Sequence, residues 1–548
     1  MRNFWIASLF LAAGVLGAQQ SAVPKRQGPP KQESGSIQGR VINAVTGEAV
    51  KKADIVLSRN GSQPNQSYTT TTSTAGWFAL QDVEPGRYNL SVSKRGYAHL
   101  NYGSHGPGRP GAALSLDPGQ HLADITLRMS PQAVITGRVI DEDGDPVPFI
   151  GVQVMHYTYH KGKRNLESWD NSGTNDLGEY RLFGLSPGKY FLSATPNESP
   201  GLTGAQGYAP TYYPGTSDPA GATALELQSG TVRRGVDITL MKTRTVRLRG
   251  LVVDPTPSTM QGVYLTLMPR EDAESMMERQ FGTSVDSRGG FEFPSVAPGA
   301  YFVLAVKRSG ANKSYAATQA VDARGGDVDN IVLELTPEAE INGNLRVEGR
   351  ALQNLADLQV SLQSDGASFG GWAGGPVKAD GSFIIPNVTP THYELHVYGF
   401  PDEYYIKSAA IGAKDILETG ITFSPAMNGA INIVLSGTGG QVEGVVLNAD
   451  QQPATEASVV AVPDEPRRTQ WRIYKDERTD QYGRFTIKGL APGRYKLFAW
   501  ENVEEGAYQD PDFIRKFEPL GEAVVIRENS HESAQLKVIP AVEKKPAK

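Results

Sequence analysis

Five stretches of this chain share one spacing, and that spacing constrains the fold more than any other feature. Each has a glycine, an aromatic residue two positions later, and a tyrosine twelve positions after the glycine. The five sets are Gly76/Phe78/Tyr88, Gly178/Tyr180/Tyr190, Gly289/Phe291/Tyr301, Gly381/Phe383/Tyr393 and Gly483/Phe485/Tyr495. Chance composition does not produce five such copies, so the sequence predicts a tandem array.

The last copy indicates what each stretch does locally. Phe485 and Ile487 alternate with polar residues, which is the period of a half-buried strand. Gly483 is suited to a tight turn before this strand, and the following Pro-Gly dipeptide predicts a type II turn in which Gly493 takes a positive φ. The fourth copy has Thr391 at that position, which predicts a different or strained turn. The tyrosine ring is expected to point inward with its hydroxyl bonded to backbone.

Each copy belongs to a longer unit. An opening strand contains a glycine, a second strand follows, and an alternating strand closes the unit. The opening glycines are Gly39, Gly137, Gly250, Gly343 and Gly444. Roughly seven short strands per unit and no convincing amphipathic helix predict antiparallel β-sandwiches. The predicted divisions are a signal peptide at 1–18, a flexible leader at 19–34, modules 1 to 5 at 35–130, 131–243, 244–337, 338–438 and 439–540, and a disordered tail at 541–548.

These motifs resemble those of a known family. The pattern G-x-[FY] followed by P-G-x-Y, after an opening G-x-V strand and an A-x-V-x-[LA] strand, is similar to the carboxypeptidase regulatory-like domain. The resemblance covers essentially all of residues 36–540. It implies a prealbumin-like, Ig-like β-sandwich related in fold to starch-binding-like and collagen-adhesin B-type modules. It also implies an accessory domain without catalysis, and it carries over no functional residue because the shared motif is a folding motif.

Composition and the N-terminus indicate an exported protein. The chain has 548 residues, no cysteine and a net charge of −6 without a large basic block. Disulfides and thiolate sites are therefore excluded, and we expect no nucleic-acid partner. A charged start, an apolar run and small residues ending near Ala18 predict a secretory signal peptide. No later stretch is apolar for the length of a membrane span. We expect a secreted or periplasmic bacterial protein.

Candidate chemistry is sparse. No histidine is followed by Glu at the third position, so a zinc carboxypeptidase motif is absent. His156/His160 and His392/His396 stand four apart, which in a strand separates them by about 13 Å, too far to share a metal. Residues 366–370 match G-x-S-x-G inside a glycine-rich loop, and 141–145 resemble the start of a calcium loop without its final Glu. We expect no catalytic residue, no metal and no cofactor. The alternative for the acidic turn is weak calcium binding.

Long loops rich in aromatic, Pro and Gly residues are the best candidates for binding. The candidate ligand-binding residues are Tyr97, Tyr102, Tyr208, Tyr212, Tyr213, Trp500 and Tyr508. Such rings can stack on a sugar or grip a protein, or they can pack down onto their own sandwich. The preferred interpretation is a non-catalytic binding or adhesion scaffold with a polysaccharide ligand. The alternative is a structural or protein-interaction stalk of the bacterial envelope. Exposed Tyr212 and Tyr213 would favour binding, and their burial between modules would favour the stalk.

Overall fold

We describe a computed structural model of the chain. The described residues are 33–60, 66–104, 111–196, 206–254, 260–270, 281–309, 313–364, 372–389, 391–423 and 429–541. The predicted signal peptide, nearly all of the leader and tail, and the G-x-S-x-G loop at 366–370 lie outside these ranges.

Module 1 shows the architecture that the other modules repeat. Its strands are β1 Gly35–Asn43, β2 Asp54–Arg59, β3 Ser67–Thr71, β4 Trp77–Val83, β5 Gly86–Ser93, β6 Leu100–Asn101, β7 Leu114–Leu116 and β8 His121–Met129. One sheet has the order β4-β1-β8, and the facing sheet has the order β3-β2-β5-β6 with β7 also paired to β5. The opening strand β1 is antiparallel to β4 but parallel to the closing strand β8. Each module therefore contains a parallel pair within an otherwise antiparallel sandwich.

Modules 2 to 5 vary this plan in their sheets and loops, and in module 4 two further strands extend the first sheet beyond the closing strand. Module 2 contains β9 Ala133–Ile140, β10 Ile150–His160, β11 Lys163–Gly173, β12 Glu179–Leu185, β13 Gly188–Pro196, β14 Gln206–Tyr208, β15 Thr211–Tyr212, β16 Leu225–Leu227, β17 Val232–Arg233, β18 Ile238–Thr239 and β19 Lys242–Arg244. Module 3 contains β20 Val246–Val253, β21 Val263–Pro269, β22 Phe281–Ser284, β23 Gly290–Val296, β24 Ala300–Ser309, β25 Lys313–Asp322, β26 Val328–Glu334 and β27 Thr336–Pro337.

Modules 4 and 5 complete the array, and module 5 keeps the three-stranded first sheet of module 1. Module 4 contains β28 Ala339–Glu348, β29 Gln359–Ser364, β30 Trp372–Pro376, β31 Ser382–Val388, β32 His392–Tyr398, β33 Tyr405–Ile411, β34 Lys414–Asp415, β35 Ile421–Thr422 and β36 Ile431–Ser436. Module 5 contains β37 Gly440–Leu447, β38 Ser458–Pro463, β39 Lys475–Arg478, β40 Arg484–Leu490, β41 Gly493–Trp500, β42 Glu522–Ile526 and β43 His531–Lys537. One short α-helix, α1 Pro511–Ile514, and six 3-10 turns complete the described elements: Pro219–Gly221, Leu355–Asp357, Glu465–Arg467, Trp471–Ile473, Ala507–Gln509 and Glu518–Leu520. The prediction of five β-sandwich modules is confirmed.

The repeated aromatic residue packs over the opening glycine of its own module. The register places Gly39 opposite Phe78, Gly137 opposite Tyr180, Gly250 opposite Phe291, Gly343 opposite Phe383 and Gly444 opposite Phe485. A Cβ on Gly343 would lie 2.0 Å from the ring of Phe383. At the other four opening glycines a Cβ would first meet a backbone carbonyl oxygen, at 1.8 to 2.3 Å, so both the ring and the neighbouring chain require glycine here.

The repeated tyrosine ties the two sheets together at the end of the motif. The hydroxyls of Tyr88, Tyr190, Tyr301 and Tyr495 donate to the carbonyl oxygen four residues earlier, at 2.6, 3.0, 2.7 and 2.8 Å. In the fourth copy the hydroxyl of Tyr393 instead accepts the N–H of Thr389 at 3.1 Å. All five rings are buried, so the predicted inward tyrosine with a backbone partner is confirmed.

The turn chemistry differs from the prediction at one point. The motif glycine before the first strand is left-handed in every module, with φ of 71° at Gly483. The glycine of Pro-Gly does not take type II geometry: Gly86 and Gly188 begin strands without a positive φ, and Gly493 has a positive φ, but its value of 152° is far from the roughly 80° of a type II turn. The type II prediction is wrong. In the fourth copy, where the prediction is a different or strained turn, Thr391 has no positive φ, and the hydrogen bond of Tyr393 differs from that of the other copies.

A β-bulge explains where the left-handed residue lies instead. In all five modules the strand after the motif glycine shifts register against the opening strand, and in four of them a left-handed residue lies there, three residues before the Pro position. The residues there with positive φ are Asp82, Gly184, Asn387 and Gly489. The bulge bends the strand toward the second sheet. Because the chain has already changed direction there, the Pro-Gly dipeptide is extended and leads directly into the next strand.

Candidate functional site

The candidate tyrosines of module 1 pack against their own sandwich. Tyr97 and Tyr102 are half-buried against the module 1 core. The hydroxyl of Tyr97 accepts a 3.4 Å hydrogen bond from Nδ2 of Asn43, and burial raises the pKa of the Tyr102 hydroxyl. Neither ring forms an exposed platform.

The candidate loop of module 2 folds back onto both faces of one sheet. Tyr208 and Tyr213 contact the sandwich core, and Tyr212 is 7% exposed in a second cluster with Met155 and Phe191 on the other face. The loop therefore covers an apolar sheet face that would otherwise meet water.

The candidate aromatics of module 5 form a second core of their own. Trp500 stacks on Phe498 at 5.2 Å and on Tyr508 at 6.5 Å between ring centroids. The segment that includes α1 packs over these rings, and Trp500 is 2% exposed. All seven candidate residues are thus buried or half-buried. Ligand binding by them stays a prediction, while their burial matches the packing alternative.

A long hairpin of module 2 reaches into module 5. Strands β10 and β11 are joined at Lys161 and Gly162, both with positive φ, as a two-residue hairpin turn of type I′ requires. Tyr159 packs against the second core of module 5, and Gly162 lies so close to the carbonyl of Gln509 that a Cβ would be 2.5 Å from its oxygen. Two long alternating strands around Lys-Gly were the sequence signal for this hairpin, which our sequence analysis missed.

Module 5 also docks on module 1 through the turn of its own repeated motif. The side-chain amide of Gln481 accepts from the backbone N–H of Ser115 at 3.1 Å and donates to its carbonyl at 2.6 Å. This imitates strand pairing, although the two residues are 366 positions apart. The Ser115 hydroxyl donates to Asp480 at 2.9 Å.

Charged and aromatic groups extend this contact. Arg87 of module 1 forms an ion pair with Glu477 at 3.1 Å, and Gln120 donates to the hydroxyl of Tyr482 at 2.6 Å. Desolvation by burial raises the pKa of Glu477. Strand β39, an edge strand made of four charged residues, is therefore covered by another module rather than left to solvent.

Modules 2, 4 and 5 meet at Trp471. His396 of module 4 lies 5.5 Å from the indole between ring centroids, and Lys161 of module 2 pairs with Glu394 of module 4 at 2.5 Å. Arg472 donates to the carbonyl of Leu417 in module 4 at 2.8 Å. Sequence reasoning missed this junction because Trp471 lies in a segment that the other modules do not repeat.

The described residues hold no group of three or more His, Cys, Asp or Glu placed to bind a metal ion. His156 packs edge-on to Trp169, and His392 bonds to the Thr422 hydroxyl at 3.0 Å. The carboxylate of Asp141 accepts the N–H groups of Asp143 and Asp145, so it closes its own turn. Among the described residues, no helix combines the length and hydropathy of a membrane span.

The fold and its junctions define a class of protein: a tandem array of β-sandwich modules whose aromatic loops pack within and between modules. Residues 36–129 match the family model described as carboxypeptidase regulatory-like domain. Module 1 is a carboxypeptidase regulatory-like domain, and modules 2 to 5 repeat its plan. No curated protein matches this chain.

Several solved structures overlap with the chain at low similarity. The Bacillus anthracis TIE protein is 14% identical, with a TM-score of 0.17, over 56% of this chain and 51% of that chain. This chain thus spans about half the length of that relative. The minor pilin GBS52 of Streptococcus agalactiae is 13% identical, with a TM-score of 0.24, over 39% of this chain and 98% of that one. Two B repeat units of the Staphylococcus aureus collagen-binding protein are 12% identical, with a TM-score of 0.14, over 74% and 100%. These scores carry no argument about function.

Proposed function

We propose that this chain is a non-catalytic, exported scaffold of the bacterial envelope that acts through protein contacts. One observation carries the proposal: the aromatic loop residues that suggested a sugar platform are used for internal packing. Tyr212, Trp500 and Tyr508 are 7%, 2% and 5% exposed, so a ligand could reach them only if the loops were displaced.

The arrangement of modules supports a closed scaffold. Module 5 contacts module 1 through Gln481, module 2 through the hairpin tip at Gly162, and module 4 through Trp471. A linear stalk would leave modules 1 and 5 apart. We infer that the array presents one composite protein surface, with polysaccharide binding as the disfavoured alternative.

A carbohydrate screen tests this proposal. The exported chain, applied to a glycan array and to insoluble polysaccharides, is expected to show no retention above background. The informative variant is Tyr213→Ala, because Tyr213 is a half-buried candidate whose loss leaves the buried Tyr212 in place. Tyr264→Ala, at a 54% exposed tyrosine outside the candidate set, is the matched control. Retention that is lost in Tyr213→Ala and kept in Tyr264→Ala would overturn the proposal.

A further inference from the structure

Three basic side chains from three different modules converge on the indole of Trp471. The ammonium of Lys161 in module 2 lies 5.8 Å from the ring centroid, and the guanidinium of Arg472 in module 5 lies 4.8 Å from it. The imidazole of His396 in module 4 is 5.5 Å away between centroids. An indole face attracts cations, so Lys161 helps to hold module 2 against module 5, while Arg472 lies beside Trp471 in module 5 itself and His396 packs as a neutral ring.

The charges around His396 are unbalanced. Lys161 and Arg472 supply two permanent positive charges, and Glu394, which is paired with Lys161, supplies one negative charge. The imidazole also lies parallel to the ring of Tyr398, with 6.0 Å between the ring centroids. A proton on His396 would therefore add a third positive charge to a site with one carboxylate.

We propose that the junction of modules 2, 4 and 5 is an acid-sensitive latch, closed while His396 is neutral and opened when His396 becomes protonated beside Lys161 and Arg472. Protonation places like charges from three modules against one another at short range, and separation of the modules relieves the repulsion. The latch does not depend on the identity of any external partner.

The titration of His396 supports the direction. Desolvation, followed by the charge of Arg472, lowers the pKa of His396 from its ordinary 6.5 to about 4, and Glu394 opposes this only partly. Because the closed junction favours the neutral ring, the equilibrium constant for closing is largest at a pH above the ordinary pKa of histidine and decreases as the pH falls. If separation of the modules restores the ordinary pKa of His396, the equilibrium constant for closing decreases by at most roughly 30-fold between pH 7.5 and pH 5.

A single thiol can measure this opening even when it is rare. Ser361 faces His396 across strands β29 and β32, and it is 0% exposed. The chain has no cysteine, so Ser361→Cys creates a unique thiol beneath the junction. The rate at which this thiol reacts with a disulfide reagent is compared with the rate in a separate variant, Lys378→Cys, whose thiol is exposed. The ratio of the two rates gives the open fraction at each pH.

The expected result is an open fraction that rises from pH 7.5 to pH 5, by up to roughly 30-fold. Adding His396→Gln should abolish the rise, whereas His392→Gln, on the same strand but bonded to Thr422, should leave it unchanged. Glu477 also titrates at an interface of module 5, and its raised pKa favours the closed state in acid. This effect is the same in His396→Gln and in the parent, so the comparison isolates the contribution of His396. A pH-independent open fraction, or an equal rise in His396→Gln, would overturn the proposal.

A second variant guards against a packing defect in His396→Gln. Lys161→Gln removes one of the two permanent cations while the imidazole stays in place, so it is expected to reduce the rise without abolishing it. An undiminished rise in Lys161→Gln would show that the repulsion does not come from this junction. Thermal unfolding at pH 7.5 checks that each variant is folded.

Discussion

Loss of the Gln481 amide should loosen the docking of module 5 on module 1. In Gln481→Ala the backbone N–H and carbonyl of Ser115 lose their two partners at 3.1 and 2.6 Å. Each hydrogen bond contributes roughly 0.5–1.5 kcal/mol net, so the opening free energy should fall by about 1–3 kcal/mol. The opening constant of the contact should then rise about 5- to 150-fold.

Hydrogen exchange in the intact chain measures this change, because amides that exchange by local opening report its free energy. The peptide that covers β7, including the Ser115 N–H, should lose protection, while peptides from the module 3 core should not. Gln319→Ala, at an exposed glutamine in β25, is the matched control. Unchanged protection of β7 in Gln481→Ala would refute the reasoning that modules 1 and 5 are docked through this amide.

Two further substitutions test the interior of single modules. Asp254→Ala should destabilise module 3 by about 3–5 kcal/mol, because the buried ammonium of Lys307, 2.5 Å from Asp254 and 4% exposed, loses that carboxylate. Replacing both residues by leucine should restore most of the lost stability. Equal hydrogen-exchange protection of module 3 in Asp254→Ala and in the parent would contradict this prediction. Gly343→Ala should destabilise module 4, since its Cβ would lie 2.0 Å from the ring of Phe383, whereas Gly173→Ala has open space and should unfold in urea like the parent.

The repeated motif made the inside of each module predictable. The glycine and aromatic spacing follows from local geometry: Phe485 must cross Gly444, and Tyr495 must reach the carbonyl of Ala491. Alternation then fixes which residues face the core. The Pro-Gly turn was mispredicted because a bulge at Gly489 already supplies the left-handed residue.

The junctions between modules could not be predicted in the same way. The turn that carries Gln481 is polar and looks like any solvated turn, and its partner Ser115 has no sequence feature that marks it. Docking depends on shape and charge across hundreds of residues, which no local pattern records. The aromatic loops were identified as special, but Tyr212 alone gives no sign of whether its ring faces a ligand or a neighbouring strand.

The central claim is that the five modules form a closed array held by module 5, and small-angle X-ray scattering of the exported chain at pH 7.5 tests it most directly. Strands of up to 11 residues give modules roughly 40 Å long, so five in a line would span about 200 Å. A closed array is expected to have a maximum dimension well below that length. A maximum dimension near 200 Å, with the profile of a rod, would contradict it.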